Sequence, residues 1–398
     1  MSYTTTHLIP NELLQRITAG AAERDAKRDL PFALIQELKA SGFGHQRLSG
    51  TYGGEGATLV HMFSAAFQLA EADPNVAHIW RNHHVVMERL LNTPSQHPLL
   101  NKLRARVIAG DMIGQANTEI NHPQIGGNVP FFSRLVKNNG KYELNGKKFY
   151  STGALYSDWI YAPVSLEDDR RVIVILPKNR KGIETIDDWT GMGQRLTGSG
   201  TTIFEHVHVD SDEILFPEDI PQQQGQFGST IAQLYLTSIV AGIVSAITRD
   251  AAELLGKRHR NFYYAPDSAG ARDPLLLAAM GEQQAAAFAV HAIVQAAAAV
   301  ADKAYIALIA QDSQAGDFLQ DAAAAAAKAK ITVDRIAQHT ASALFDIAGA
   351  SATLAHHNLD RHWRNIRTLS SHNPITHKAY ALGNLSINGV PLPTQGFF

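Results

Sequence analysis

Ser151 and Thr152 sit at the end of a distinctive run, Asn145-Gly-Lys-Lys-Phe-Tyr-Ser-Thr-Gly153. A tight hairpin at Asn145-Gly146, followed by aromatics, two hydroxyls and a glycine, can press backbone N–H groups and hydroxyls against a flat polar heterocycle. The same run also fits an ordinary β-turn. A second candidate is defined by an absence. From Arg361 to Phe398 there is no Asp or Glu, while His362, Arg364, Arg367, Ser370, Ser371, His372, His377 and Lys378 are all present. Such a segment can stabilise a bound anion and donate protons, or it can be a basic tail.

The chain has 18 histidines, so metal binding has to be weighed. Glu119 with His122 and Glu205 with His208 both match ExxH, but a di-iron site needs that spacing on helices, where both ligands share a face. Pro123 follows His122, and Glu205 lies in an alternating, strand-like run, where residues three apart point to opposite faces. His206 and His208 share a strand face without a clear third ligand, so no metal is expected. The glycine-rich stretch Gly191 to Gly200 is not GxGxxG and leads into a strand, which argues against a nicotinamide-binding Rossmann site. No GxSxG elbow is present. The absence of cysteine excludes disulfides, thiolate metal sites and cysteine nucleophiles.

These residues need positioning elements. The 398 residues and a net charge of −2 fit two or three subdomains with no basic excess for nucleic acid or an anionic membrane. Apolar periodicity predicts helices within residues 1–111: 30–41, 60–71 and 75–92, with a loop at Tyr52-Gly-Gly-Glu-Gly56. Residues 112–222 read as strands: 133–136 and 141–144 about the 138–140 turn, 159–166 and 171–176 about Glu167-Asp-Asp169, and 201–209. Residues 223–398 read as helical again, with long Ala-rich helices at 229–258, 274–310 and 317–348. Their alanine faces suit tight internal packing or subunit contacts. No signal core and no run of about 20 apolar residues is evident, so a soluble cytoplasmic protein is expected.

In order along the chain, Tyr52-Gly-Gly-Glu-Gly56, Ala116-Asn-Thr-Glu119, Leu144 to Gly153 and Gly193-Gln-Arg-Leu-Thr-Gly-Ser-Gly-Thr-Thr202 resemble the successive blocks of acyl-CoA dehydrogenases. The resemblance implies an α+β fold: an N-terminal helical domain, a central β-barrel or sandwich domain and a C-terminal four-helix bundle. In one large subgroup of that family a glutamate base lies in a segment matching Arg364 to Pro374. Here that segment has His372 near the base position, and His372-Asn-Pro374 resembles the dibenzothiophene monooxygenase group.

That likeness implies a two-component flavin monooxygenase. Reduced FMN, or less favourably FADH2, would come from a separate NAD(P)H flavin reductase, and O2 would form a C4a-hydroperoxide that oxygenates a small organosulfur or indole-like substrate. By the same resemblance Ser151 would bond near flavin N5, His372 would be the proton partner, Asn117 would face the flavin, and His83 or His84 would line the chamber. Thr152, Arg258, Arg260 and Arg367 would help hold the cofactor, with the phosphate site shared across subunits of a homotetramer. One departure is that Leu369 replaces a histidine of the group. The rival readings are an ordinary acyl-CoA dehydrogenase with its base elsewhere, for example Glu253, and a catalytically silent interaction protein.

Overall fold

The computed structural model describes residues 8–121, 127, 129–138, 140–220, 222–394 and 398. The N-terminal helices are α1 (Asn11–Ala19), α2 (Ala21–Lys27), α3 (Phe32–Ala40), α4 (Leu59–Ala72), α5 (Pro74–Val86) and α6 (Pro98–Ile108). Capping fixes where they start. Thr58 accepts the His61 N–H, and Asp73 accepts the Asn75 N–H ahead of Pro74 at the first turn of α5. The predicted helix over 75–92 is real but changes pitch: Met87–Leu91 forms a π-helical turn.

Eight strands follow: β1 (Ile113–Gln115), β2 (Arg134–Asn138), β3 (Lys141–Lys148), β4 (Trp159–Leu166), β5 (Arg171–Pro177), β6 (Ile183–Ile186), β7 (Thr201–Val209) and β8 (Ile214–Leu215). They form one sheet in the order β6-β7-β3-β2-β4-β5-β8, with β1 parallel to β4. The central β domain expected between two helical parts is built from this one sheet. The turn expected at Asn145-Gly146 is corrected. β3 runs straight through it, and the register against β7 shifts between Leu144 and Gly146. Asn145 Oδ1 takes the N–H of His206, which adopts φ +49°, so this is a β-bulge.

The rest is helical: α7 (Gln222–Gly256), α8 (Pro274–Ile309), α9 (Ala315–Ala348), α10 (Asp360–Ser370) and α11 (Ile375–Asn388). The long α7, α8 and α9 pack together, and α4 lies against α7 and α8. The bundle therefore borrows a helix from the N-terminal part. Gly242 permits that crossing, since a Cβ there would lie 2.4 Å from the Phe67 carbonyl. α7 carries no charge before Arg249 and is buried almost all round. By length and composition alone, segments 225–256 and 274–309 are long and apolar enough to cross a bilayer, which corrects the expectation that none is. The first is a core helix. The second exposes Leu275, Phe288 and Ile306 on its outer face.

The π-turn buries an ion pair. Glu88 Oε2 lies 2.9 Å from Arg47 Nη2, and Asn92 donates to Glu88 Oε1 at 2.9 Å. Burial pushes the Glu88 carboxyl from 4.5 to about 7, outweighing the Arg47 guanidinium and the Asn92 amide. Because the folded value is raised, the stability Glu88 lends is complete below its ordinary value and is lost as pH rises through about 7. The stability difference between wild type and Glu88→Gln, from urea melts, should therefore move against wild type between pH 4.5 and 7. A difference independent of pH over that window would contradict this.

Candidate active site

The site is assembled on one buried face of α5. Asn75, His78 and Asn82 stand at i, i+3 and i+7, so their side chains form a stripe, and all three are buried. Asn75 Oδ1 accepts the Leu196 N–H at 3.2 Å, His78 Nδ1 donates to Gln194 Oε1 at 3.0 Å, and Asn82 Nδ2 donates to the Thr152 carbonyl at 2.8 Å. The helix thereby holds two loops, 150–154 and 194–200. Asn365 on α10 supports the second loop by accepting the Gln194 N–H at 2.6 Å.

The loops also hold each other. A ladder of hydroxyls runs from Thr152 to Ser199 at 2.7 Å and on to Thr197 at 2.6 Å. The Ser151 and Gly153 N–H groups donate to the Gly200 and Thr197 carbonyls at 3.1 and 3.0 Å. Gly153 has φ +81°, and a Cβ on it would lie 2.5 Å from the Ile79 carbonyl of α5. Within this frame the Ser151 hydroxyl is buried and has no partner.

A second pair of unsatisfied groups lies close by. The bridge between Thr118 and Phe149 brings Asn117 to the same strand crossing as the Ser151 loop. Asn117 Nδ2 donates to Gln115 Oε1 at 2.9 Å, leaving Asn117 Oδ1 and Gln115 Nε2 buried without partners. Buried polar atoms are costly to leave unmet. Ser151 Oγ, Asn117 Oδ1 and Gln115 Nε2 together offer both donors and acceptors, the set that the edge of a flavin ring system requires. These residues therefore fit the cofactor implied by the sequence.

His372 lies in the turn between α10 and α11, with Asn373 next to it bonded to Gln233 of α7. The His372 side chain is exposed to solvent on this turn. Crowding by the surrounding protein, then nearby Arg81, His78, Lys330 and Lys378, push its imidazole well below the ordinary value. It is neutral at pH 7, with one ring nitrogen carrying a proton and the other able to accept one. Arg81 and His78 belong to α5, so this helix serves both the Ser151 loop and the His372 turn.

Other expected residues fall elsewhere. His83 is a positioning residue: Nε2 donates to the Gly44 carbonyl at 2.7 Å and Nδ1 accepts the Ile113 N–H at 3.0 Å. With both nitrogens engaged it has none left for chemistry. His84 lies among Phe43, Trp80 and Tyr235, stacked on Tyr235 at 5.7 Å. It is two residues from Asn82 and so on the opposite face of the helix.

Arg258 is committed within its own chain to the Ile347 and Arg260 carbonyls and to Asn261 Oδ1. Arg260 is exposed in the same loop after α7, and Arg367 is exposed on α10. Among the described residues no hydrogen bond or ion pair joins these three arginines to the Ser151 loop. Nor is the acid-free C-terminal segment an unpaired basic tail. Arg361 and His362 meet Asp250 at 2.6 and 2.9 Å, and Arg364 meets Asp25 at 2.8 Å.

Two of the ExxH residues and His206 are engaged elsewhere. Glu119 accepts from Lys148 and the Ser133 hydroxyl, His208 pairs with Asp210, and His206 pairs with Glu143. His122 lies outside the described residues. Glu253, the alternative base, is exposed and paired with Lys257. The residues overlooked in the sequence are His78, Arg81, Asn82 and Gln233. The signal for them is a polar stripe on helices otherwise patterned for burial.

Two family domains match the chain: acyl-CoA dehydrogenase, N-terminal domain, over residues 11–97, and acyl-CoA dehydrogenase, C-terminal domain, over residues 234–376. The protein named probable FMNH2-dependent monooxygenase SfnC of Pseudomonas putida is 29% identical over 393 residues, covering 96% of this chain and 94% of that one. Dibenzothiophene monooxygenase of Rhodococcus qingshengii is 28% identical over 404 residues, covering 97% and 93%. Among solved structures, methanesulfinate monooxygenase MsuC from Pseudomonas fluorescens aligns with a TM-score of 0.87 at 26% identity, covering 100% of both chains.

The Ser151 loop depends on glycine at 153. Gly153→Ala should cost about 1–3 kcal/mol from the left-handed backbone alone, with the clash against Ile79 added. Urea or thermal unfolding measures it, and wild-type stability in that variant would contradict the loop geometry.

Proposed function

The chain belongs to the acyl-CoA dehydrogenase family, and from that premise we propose that it is a flavin-dependent monooxygenase rather than a dehydrogenase. It would use reduced FMN and O2 to oxygenate a small organosulfur or indole-like molecule. One observation carries the reading: where dehydrogenases of one large subgroup hold a glutamate base, this chain has no carboxylate between Arg361 and Phe398 and presents a neutral His372 instead. Carbon-acid deprotonation needs a base that Glu253, exposed and paired with Lys257, is poorly set to supply. The likeness to SfnC, dibenzothiophene monooxygenase and MsuC supports the same choice.

In this reading Ser151 Oγ, Asn117 and Thr152 hold the polar edge of the ring system. Reduced flavin, when bound, supplies the electrons that activate O2. A separate NAD(P)H flavin reductase provides it, since the chain has no GxGxxG site for a nicotinamide. Ser151 Oγ, buried and without a partner, would donate a hydrogen bond to the ring system. His372 holds a proton on one ring nitrogen and can receive one on the other, so a proton can be kept near the reacting oxygen without a buried carboxylate. The exposed apolar face of α8 suits packing against further copies in a homotetramer, and there the exposed Arg260 or Arg367 would reach a neighbour's flavin phosphate. The cytoplasm, where NAD(P)H is available, is the fitting compartment.

Two outcomes follow for the purified protein. Reduced FMN should bind more tightly than oxidised FMN, measured anaerobically, and the protein alone should consume no NADH. Rapid NADH oxidation without a reductase would count against the two-component assignment. Ser151→Ala and His372→Ala should reduce product formation far more than flavin binding, and should raise hydrogen peroxide release. Acid–base groups contribute about 10²- to 10⁴-fold, so the His372 variant should lose at least tens of fold. Full coupling of O2 to product in both variants would remove these residues from the mechanism.

A further inference from the structure

A positive charge is buried beside this site, and the roles assigned so far leave it unused. Arg81, on α5 between His78 and Asn82, is 8% exposed. Its Nε donates to the Ala232 carbonyl at 3.1 Å and its Nη1 to Asn82 Oδ1 at 3.3 Å, and neither acceptor is charged. Among the described residues no carboxylate pairs with Arg81, and Nη2 has no partner.

Arg89 repeats the pattern two turns on. Its Nη1 reaches the Tyr161 hydroxyl at 3.4 Å, and its Nε is buried without an acceptor. Both arginines lean on the same face of α7. Arg81 bonds residue 232, and Arg89 packs so close to Gly228 that a Cβ there would meet its Nε at 2.9 Å.

Several other buried cations among the described residues are matched by carboxylates. Arg47 has Glu88, Lys148 has Glu119 and Lys330 has Asp334. Arg104 lacks a carboxylate, but its guanidinium is covered by the Leu91, Thr93 and Ser95 carbonyls and Asn101 Oδ1. An unneutralised buried guanidinium is expensive, and its planar fork suits a two-oxygen anion. The FMN phosphate is one such anion. If Ser151 and Thr152 hold the ring, however, the phosphate lies at the far end of the ribityl chain, away from Asn82 and Arg81. The anion that meets Arg81 then has to come with the substrate.

We propose that Arg81, reinforced by Arg89, binds an anionic oxygen group on the substrate, so that the substrates are small organic oxyanions such as alkyl sulfinates, sulfonates or carboxylates. The choice of substrate over cofactor as the anion's source rests on the flavin monooxygenase reading given above. Neutral fused aromatics would leave the charge buried and unpaired, and so are disfavoured.

The test is calorimetric titration of the protein, both flavin-free and loaded anaerobically with FMNH2. The probes are methanesulfinate, methanesulfonate and propionate, against dimethyl sulfone as a neutral molecule of similar size. At least one anion should bind about 30-fold or more tightly than the sulfone, because a desolvated charge pair is worth that much. The preference should shrink with added salt. Arg81→Met should abolish it and Arg81→Lys should keep part of it, and both variants should retain wild-type FMNH2 affinity. The wild-type comparison stands without any variant, should Arg81→Met not fold. Equal affinity for the anions and the sulfone overturns the proposal. So does an Arg81→Met protein that loses FMN but not riboflavin binding, which would assign Arg81 to the flavin phosphate. Anion binding with no oxygenated product, when reductase, NADH, FMN and O2 are supplied, would overturn the monooxygenase reading and leave the anion site standing.

Discussion

A buried amide or imidazole is costly to leave unpaired, and α5 carries several of them inward. Asn75, His78 and Asn82 each reach a loop of the central sheet, at Leu196, Gln194 and Thr152. Each lost bond would strand a buried group at a cost of about 1–3 kcal/mol, so these three bonds tie the loops to the helix. Ser151 inherits its position from this arrangement. His83 extends it on another face by joining Gly44 and Ile113. The site is thus built on a helix that holds its loops through side-chain hydrogen bonds, with Ser151 Oγ, Asn117 Oδ1 and Gln115 Nε2 left open.

Much of the architecture could be read from the chain because apolar period reports directly on burial. The three long Ala-rich helices and the hairpins about residues 138–140 and 167–169 stand close to where that period puts them. The Asn145-Gly146 pair misled for a physical reason. Such a pair favours a two-residue turn, but here pairing with β7 continues on both sides and the extra length is absorbed as a bulge. The acid-free C-terminal segment looked like a free basic surface because its carboxylates, Asp25 and Asp250, come from more than a hundred residues away. Linear composition cannot report such pairing.

Part of the candidate site rests on sequence blocks. Ser151, Asn117 and His372 stand in recognisable ones; α5 bonds the loop of the first through Asn82, and Arg81 of the same helix acts electrostatically on the last. Arg81 and Asn82 were passed over because a polar residue on a helix usually faces water, and only packing reveals that this face is sealed. His83 and His84 are adjacent in sequence but about 100° apart on the helix, which gives one of them backbone partners and the other an aromatic enclosure.

The central claim is that this acyl-CoA dehydrogenase family member transfers oxygen rather than removing hydrogen. The most direct measurement is isotopic. The purified protein, a flavin reductase, NADH and FMN would be incubated under ¹⁸O₂ with alkyl sulfinate and indole substrates, and the products analysed by mass spectrometry. The account predicts one ¹⁸O atom in each molecule of product, dependent on this protein and absent when only the reductase is present. Unlabelled product, or no oxygenated product together with flavin reduction by an acyl-CoA, would contradict it.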